Sequence, residues 1–226
     1  MLWHPARYIV SRTYMQALES IYTHHHSHSR EEGFVLMGDE RGGFLRDHIG
    51  KGKNVLDIGC RDGALTSFFT EGNTVTGIDI DSSALQRASA LGITTQQVDL
   101  NGEWGIPPHS FDVVVAAEVV EHLYYPRLVI EKIHNVLKEE GVLFGSVPNA
   151  FSLKHRLRYL CMQKKGTPLE DPTHINHFTV AELHALLSEF FDEVHIYGLG
   201  RYKRLIRLSP QSFAFDLMFE AKHPKK

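Results

Sequence analysis

After residue 50 the chain keeps returning to one unit: a short apolar run, then a stretch whose apolar residues recur every three or four positions. The runs fall at Asn54–Ile58, Thr74–Asp79, Thr94–Val98, Phe111–Ala117 and Gly141–Val147. Their Val, Ile and Phe content suits strands covered on both faces, where no alternating polar side is needed. The stretches between them, Leu65–Phe69, Ser83–Leu91 and Leu128–Leu137, suit helices with one buried side. Few architectures accept that alternation. Repeated βα units close onto a parallel sheet, so the expected class is a doubly wound α/β fold with helices on both faces.

Past Pro148 the rhythm changes. Residues 150–163 read as an extra amphipathic helix carrying Lys154, His155, Arg156 and Arg158, and Lys164–Pro168 as a loop. Thr179 begins a further helix, with Glu182 three residues on as the partner in a capping box. Two antiparallel strand candidates, Glu193–Leu199 and Ser212–Ala221, flank the basic turn RYKRLIRLSP and bring the sheet to seven strands. Before residue 50, Tyr8–Tyr22 reads as a helix and HHHSHSREEG as a polar connection, an N-terminal helical cap and linker over residues 1–50.

Composition removes several functional classes. A formal charge of -3 gives no general pull toward nucleic acid or acidic lipid, so any basic surface must be local. Two cysteines, Cys60 and Cys161, are too few for a disulfide framework, and MLWHPARYIV lacks the basic start and long apolar run of a secretory signal. No stretch approaches the roughly 20 apolar residues of a membrane span. The expected setting is the cytoplasm.

The stretch NVLDIGCRDGAL, residues 54–65, is where a strand breaks into a glycine turn and then a helix. Such a turn aims backbone N–H groups and a positive helix end at one crevice. A nicotinamide fingerprint would need glycine at positions 61 and 64, where this chain has Arg61 and Ala64. What remains is Asp57-x-Gly59-x-x-x-Gly63, with Asp79 ending the second strand and Asp99 following the third. In an open α/β sheet ligands bind outside the carboxyl ends of the strands, so these acids describe one elongated pocket.

In the segments LDIGCRDG, GIDID, VDLNG, SFDVVVAAEVVEHL and LKEEGVLFGSVPN, nearly all of residues 50–200, the chain resembles the class I S-adenosylmethionine-dependent methyltransferases. The branch it is most similar to includes the ubiquinone-pathway O-methyltransferases and methyltransferases of sugar and secondary-metabolite pathways. The resemblance implies a Rossmann-like, seven-stranded, mostly parallel sheet with an antiparallel C-terminal strand, over residues 51–226, with an acceptor-side helical insertion at about 150–178. It also implies S-adenosylmethionine as cofactor and S-adenosylhomocysteine as product. Asp57 would hold the cofactor's amino group, and Gly59 and Gly63 would let the backbone approach it. Asp79 would bind the ribose hydroxyls, with Asp81 the less suitable neighbour. Asp99 would accept from the adenine amine, with Leu100 against the ring, while Cys60, Ile80 and Glu118 complete the cofactor-binding set. Arg61 departs from the family's middle glycine.

A hydroxyl nucleophile must lose a proton, and the candidate bases lie in AEVVEHLYYP and DPTHINHFT. If residues 118–122 turn helically, Glu118, Glu121 and His122 share a face, while His174 and His177 sit three apart before the next helix. One reading makes His122, His174 or His177 the general base, with Glu118 beside it. A second gathers Glu118, Glu121, His122 and His174 or His177 around Mg²⁺ or Mn²⁺, a pattern similar to the small-RNA 3′-end 2′-O-methyltransferases. A third has Glu121 and His122 merely ordering the loop. The expected site carries no metal.

The expected reaction is methyl transfer to a hydroxyl of a small or glycan-like acceptor. Lys154, His155, Arg156, Arg158, Lys164 and Lys165, with Arg201, Lys203, Arg204 and Arg207, would recognise a phosphate or carboxylate on it. RNA as acceptor, and a non-catalytic cofactor-binding scaffold, are the alternatives. The four histidines of residues 24–28 support no site assignment.

Overall fold

The computed structural model describes residues 19–20, 33 and 35–225. The expected helix Tyr8–Tyr22 and the histidine-rich connection fall almost wholly outside the described residues. The strands are β1 (Asn54–Ile58), β2 (Thr74–Asp79), β3 (Thr94–Gln97), β4 (Phe111–Ala117), β5 (Leu137–Pro148), β6 (Phe191–Leu199) and β7 (Asp216–Pro224). They form one seven-stranded sheet in the order β3-β2-β1-β4-β5-β7-β6. Only β7 runs against its neighbours, antiparallel to both β5 and β6. The helices are α1 (Gly38–Ile49), α2 (Ser82–Ala90), α3 (Pro126–Val136), α4 (Leu153–Leu160), α5 (Val180–Ser188), α6 (Lys203–Leu208) and α7 (Pro210–Phe213).

Alternation along the central strands feeds two cores. Leu56, Ile58, Val114 and Ala116 join the cluster under α3 and α5, which supply Ile130, Ile133, Leu183 and Leu187. Val55, Val113 and Val115 point the other way, into the cluster with Leu45, Ile49 and Phe69. Each buried Leu, Ile or Val contributes about 1.5–3 kcal/mol, so strands clothed on both sides hold the sheet without a polar face.

Four elements depart from the sequence reading. Residues 38–49, expected within a cap and linker, are a helix whose Leu45 and Ile49 are fully packed. Its glycines hide it. Yet Gly42 is needed, because a Cβ there would come within 2.4 Å of the Phe68 ring. Second, β5 starts at Leu137: Leu137 pairs with Phe111, and the register shifts before Val113 meets Val142. Third, the basic turn is helical. Ser209 caps α7 by accepting from the Ser212 N–H, with Pro210 at its first position, so the last strand begins at Asp216 and not at Ser212. The helix expected over 150–163 is confined to Leu153–Leu160, where the Ser152 hydroxyl accepts from the His155 N–H. The Thr179–Glu182 capping box is present in full.

Candidate functional site

The strand order reverses at β1: the chain builds outward through β2 and β3, then returns to place β4 on the other side. A cleft of about 1160 Å³ including its open mouth lies at the carboxyl ends of those four strands. Crevices form at such switch points because neighbouring connections leave in opposite directions.

The turn after β1 is folded back over β2, with the N–H groups of Gly59 and Cys60 donating to the Ile78 carbonyl at 2.7 and 3.2 Å. Gly59 has φ +69°, and a Cβ there would lie 2.6 Å from the Val119 side chain. Arg61 also takes a positive φ of 50°. Left-handed backbone costs a side-chain-bearing residue about 1–2 kcal/mol, which is why glycine suits that position and arginine is the exception. Gly63 corrects the sequence reading. It does not line the cleft, and its missing Cβ makes room for Ile93 at 2.7 Å and Ala88 at 3.2 Å, so it serves the packing of α2.

The strand-end acids all reach the cleft. Asp57 is buried and accepts from the Thr66 hydroxyl at 2.6 Å. Burial lifts its carboxyl to about 7, against the pull of that hydroxyl, and the charge of Asp79 adds to the rise. Asp79 accepts from the Arg61 N–H and the Asp81 N–H, each at 2.9 Å. Asp81 is spoken for, since it caps α2 by accepting from the Ser83 and Ala84 N–H groups. Asp99 accepts from the backbone and side-chain N–H groups of Asn101 at 2.9 and 3.1 Å. Ile80, Leu100 and Cys60 line the same wall, and burial pushes the Cys60 thiol well above its ordinary value.

At the end of β4 the expected helical turn does not form. Glu118 has φ +56°, and a 3-10 turn begins only at Val120, so Glu118, Glu121 and His122 do not share a helix face. Glu118 accepts from the Ser146 hydroxyl at 3.0 Å and lies 3.4 Å from the guanidinium of Arg41. Arg41 is the residue that sequence reasoning missed. It lines the cleft from α1, only 3 % exposed, and donates to Asp216 at 2.6 Å. Burial alone would discourage its charge, but Glu118 and Asp216 outweigh that and keep it protonated. The available signal was its place four and eight residues before Leu45 and Ile49, on the core-facing stripe.

The two histidine-bearing segments do meet. The Ile175 and Asn176 N–H groups both donate to the Glu121 carbonyl at 2.9 Å, and the Asn176 side chain donates to the Leu123 carbonyl at 2.6 Å. His122 lines the cleft, with its ring 4.8 Å from that of His174. His174 and His177 stand behind it, outside the lining. Burial, reinforced by His174, lowers the His122 ring to about 4. Glu121 is buried with neither carboxylate oxygen hydrogen-bonded, and burial followed by the charge of Glu118 drives it toward the neutral form. One ligand atom each from Glu121, His122 and His174 lies within 4.8 Å of the others. None of the basic residues at 154–165 or 201–207 lines the cleft.

Residues 29–190 match the model of a family described as a methyltransferase domain. A ubiquinone biosynthesis O-methyltransferase from Nitrosococcus oceani is 35% identical over 114 residues, 47% of this chain and 48% of that protein. One from Glaesserella parasuis is 39% identical over 109 residues, 43% of this chain and 46% of that protein. The chain thus spans about half the length of the curated relatives it matches. A SAM-dependent methyltransferase structure from Archaeoglobus fulgidus superimposes with a TM-score of 0.62 at 20% identity, covering 89% of this chain and 99% of that one.

Proposed function

Because the chain belongs to the methyltransferase-domain family, we propose that it transfers a methyl group from S-adenosylmethionine to a hydroxyl oxygen of a small-molecule or glycan-like acceptor. The observation that carries this is the charge of the cleft: Asp57, Asp62, Asp79, Asp99 and Glu118 line it against Arg41 and Arg61. An acidic lining suits a ligand with sulfonium and ammonium charges and repels a dinucleotide's pyrophosphate. The O-methyltransferase relatives support oxygen as the accepting atom.

Asp79 would take the ribose hydroxyls, since a carboxylate at the end of β2 lines the cleft and can accept from both at once. Asp99 and Leu100 would hold the adenine, and Asp57 the ammonium. The bound cofactor supplies a methyl group already activated on sulfur, so the protein's task is alignment and deprotonation. His122 is the base in this reading: its ring is neutral, lines the cleft and is fixed by the Thr173 carbonyl. Glu118, locked by Arg41 and Ser146, shapes the wall beside it. His174 and His177 back the base and do not touch the acceptor. The domain is taken as residues 51–226 with α1 added to its core, and the cytoplasm as its setting.

The unpartnered oxygens of Glu121 favour one second reading, in which Glu121, His122 and His174 hold a divalent cation. Calorimetry with S-adenosylmethionine tests the primary reading: micromolar binding supports it, and preferential binding of a nicotinamide dinucleotide would sink it.

A further inference from the structure

Two helices at the carboxyl edge of the sheet carry apolar stripes that face outward. In α4 the leucines at 153, 157 and 160 recur at helical spacing, yet all three are exposed and the helix buries only His155. Met162, just beyond, is 95% exposed. In α6 only Ile206 is buried, while Leu205 and Leu208 are exposed, as is Tyr202 before it. An amphipathic helix normally turns its stripe to the core. Here the stripes point away from the protein, and α7 packs against both helices to hold them as one unit. The Asn149 side chain fastens that unit by donating to the Pro210, Gln211 and Ala214 carbonyls.

Charge is segregated onto the same segments. Residues 141–169 and 194–215 together hold nine Lys and Arg and no Asp or Glu, in a chain whose net charge is -3. Among the described residues none of the nine has a carboxylate partner, whereas Arg46, Lys51, Arg127, Lys138 and Lys222 elsewhere all do. Arg156 spends a donor on the Phe151 carbonyl within its own segment.

We propose that the face built by α4, α6 and residues 161–165 docks on an anionic lipid bilayer, the leucines and Met162 entering the headgroup boundary while the lysines and arginines pair with lipid phosphates. Lipid fits the chemistry better than two alternatives. Self-association through this face would set eight cations against eight. Single-stranded RNA needs flat rings to stack on, and the exposed apolar groups of α4, α6 and residues 161–165 are non-aromatic, with only Tyr202 and Phe215 exposed as rings elsewhere in these segments. Aliphatic side chains flanked by Lys and Arg are what an interfacial helix presents to a membrane. The inference is independent of the proposed transfer reaction. It adds a location for it, because α4 leaves the carboxyl end of β5, the same edge of the sheet that opens the cleft.

Co-sedimentation of the full chain with phosphatidylcholine vesicles, with and without about 30% phosphatidylglycerol, tests this. Binding at least about tenfold tighter to the anionic vesicles, weakened by salt, is expected. Replacing Leu157, Leu160 and Leu208 together by Ser should cut that binding about tenfold, with melting temperature and S-adenosylmethionine affinity unchanged, since these side chains support no core. Equal or absent binding to the two vesicle types overturns the proposal. So does undiminished binding by the triple variant, or a preference for a single-stranded RNA oligonucleotide over the vesicles. Cofactor affinity, measured without vesicles, reports on the transferase reading alone.

Discussion

The Nδ1 atom of His122 lies 2.9 Å from the carbonyl oxygen of Thr173. A carbonyl can only accept, so Nδ1 carries the hydrogen and Nε2 keeps the lone pair. His122→Gln should therefore lower turnover by roughly 10²–10⁴ and leave cofactor affinity within about twofold. Single-turnover rates beside calorimetry check this, and an unchanged rate would remove the base.

The acidity of that ring sets its pH behaviour. Burial holds it near 4, below the ordinary value of about 6.5, so the base form persists and turnover should show no histidine inflection near 6.5. The same depression means the unfolded chain binds a proton that the folded chain refuses. This part of the stability is present above about 6.5 and is lost as pH falls toward 4. Denaturant midpoints across that window, in wild type and His122→Gln, measure it.

Cofactor affinity should itself depend on pH through Asp57. Its carboxyl titrates at about 7 in the empty cleft, so binding a cation there must expel a proton from the fraction that is neutral. Affinity is expected to rise by about tenfold in all between roughly pH 6 and 8, and Asp57→Asn should flatten the curve. Calorimetry in buffers of different ionisation enthalpy counts the proton.

Asp79→Asn is expected to weaken S-adenosylmethionine by about 1.5–3 kcal/mol, a factor of roughly 10–150. The amide loses the charge and one acceptor, and because both Asp79 oxygens accept a backbone N–H, its NH2 group also displaces one of those two hydrogen bonds. Asp79→Ala would also orphan the Arg61 and Asp81 N–H groups, so its larger effect would mix binding with loop order.

Arg41→Met should loosen the site without unfolding the chain. It leaves Asp216 and Glu118 close together and buried without their cation, and removing one partner of a buried pair costs about 3–5 kcal/mol. A lower melting temperature with weaker cofactor binding is expected, and Arg41→Lys should recover part of both.

Chelators decide between the two readings of Glu121. With His122 as a metal-free base, turnover survives prolonged dialysis against EDTA. Loss of activity that Mn²⁺ or Mg²⁺ restores would make His122 and His174 ligands instead, and Glu121→Ala would then be as damaging as His122→Gln.

The framework was legible because burial on both faces of a strand leaves a dense apolar signature. The bounds of β1, β2 and β4 follow directly from it. The cleft acids were legible for a different reason: a carboxylate at successive strand ends has no packing purpose. What escaped lies where a local pattern gives no direction. Gly42 and Gly43 lower the helical signal of α1, and only the Phe68 ring, more than twenty residues away, explains the first of them. Arg41 carries no signal in the sequence beyond its spacing to Leu45 and Ile49. The α4 leucines announce an amphipathic helix but not which way its stripe faces, since that depends on how α7 holds it. Gly63 was assigned to ligand approach, yet only the positions of Ile93 and Ala88 reveal its purpose.

The placement of β7 between β5 and β6 imposes an order of assembly. Among the described residues strand β6 has no neighbour in the sheet except β7, so residues 191–199 must wait, synthesised but unpaired, until residues 216–224 arrive beside β5. The arrival also delivers Asp216, the acid that anchors Arg41 near the opposite end of the chain. Contacts spanning 175 residues form slowly because the loop entropy is lost before the contact forms. The cleft is therefore among the last parts of the molecule to mature, and a nascent chain lacking β7 would have β1 to β5 paired and yet no finished site.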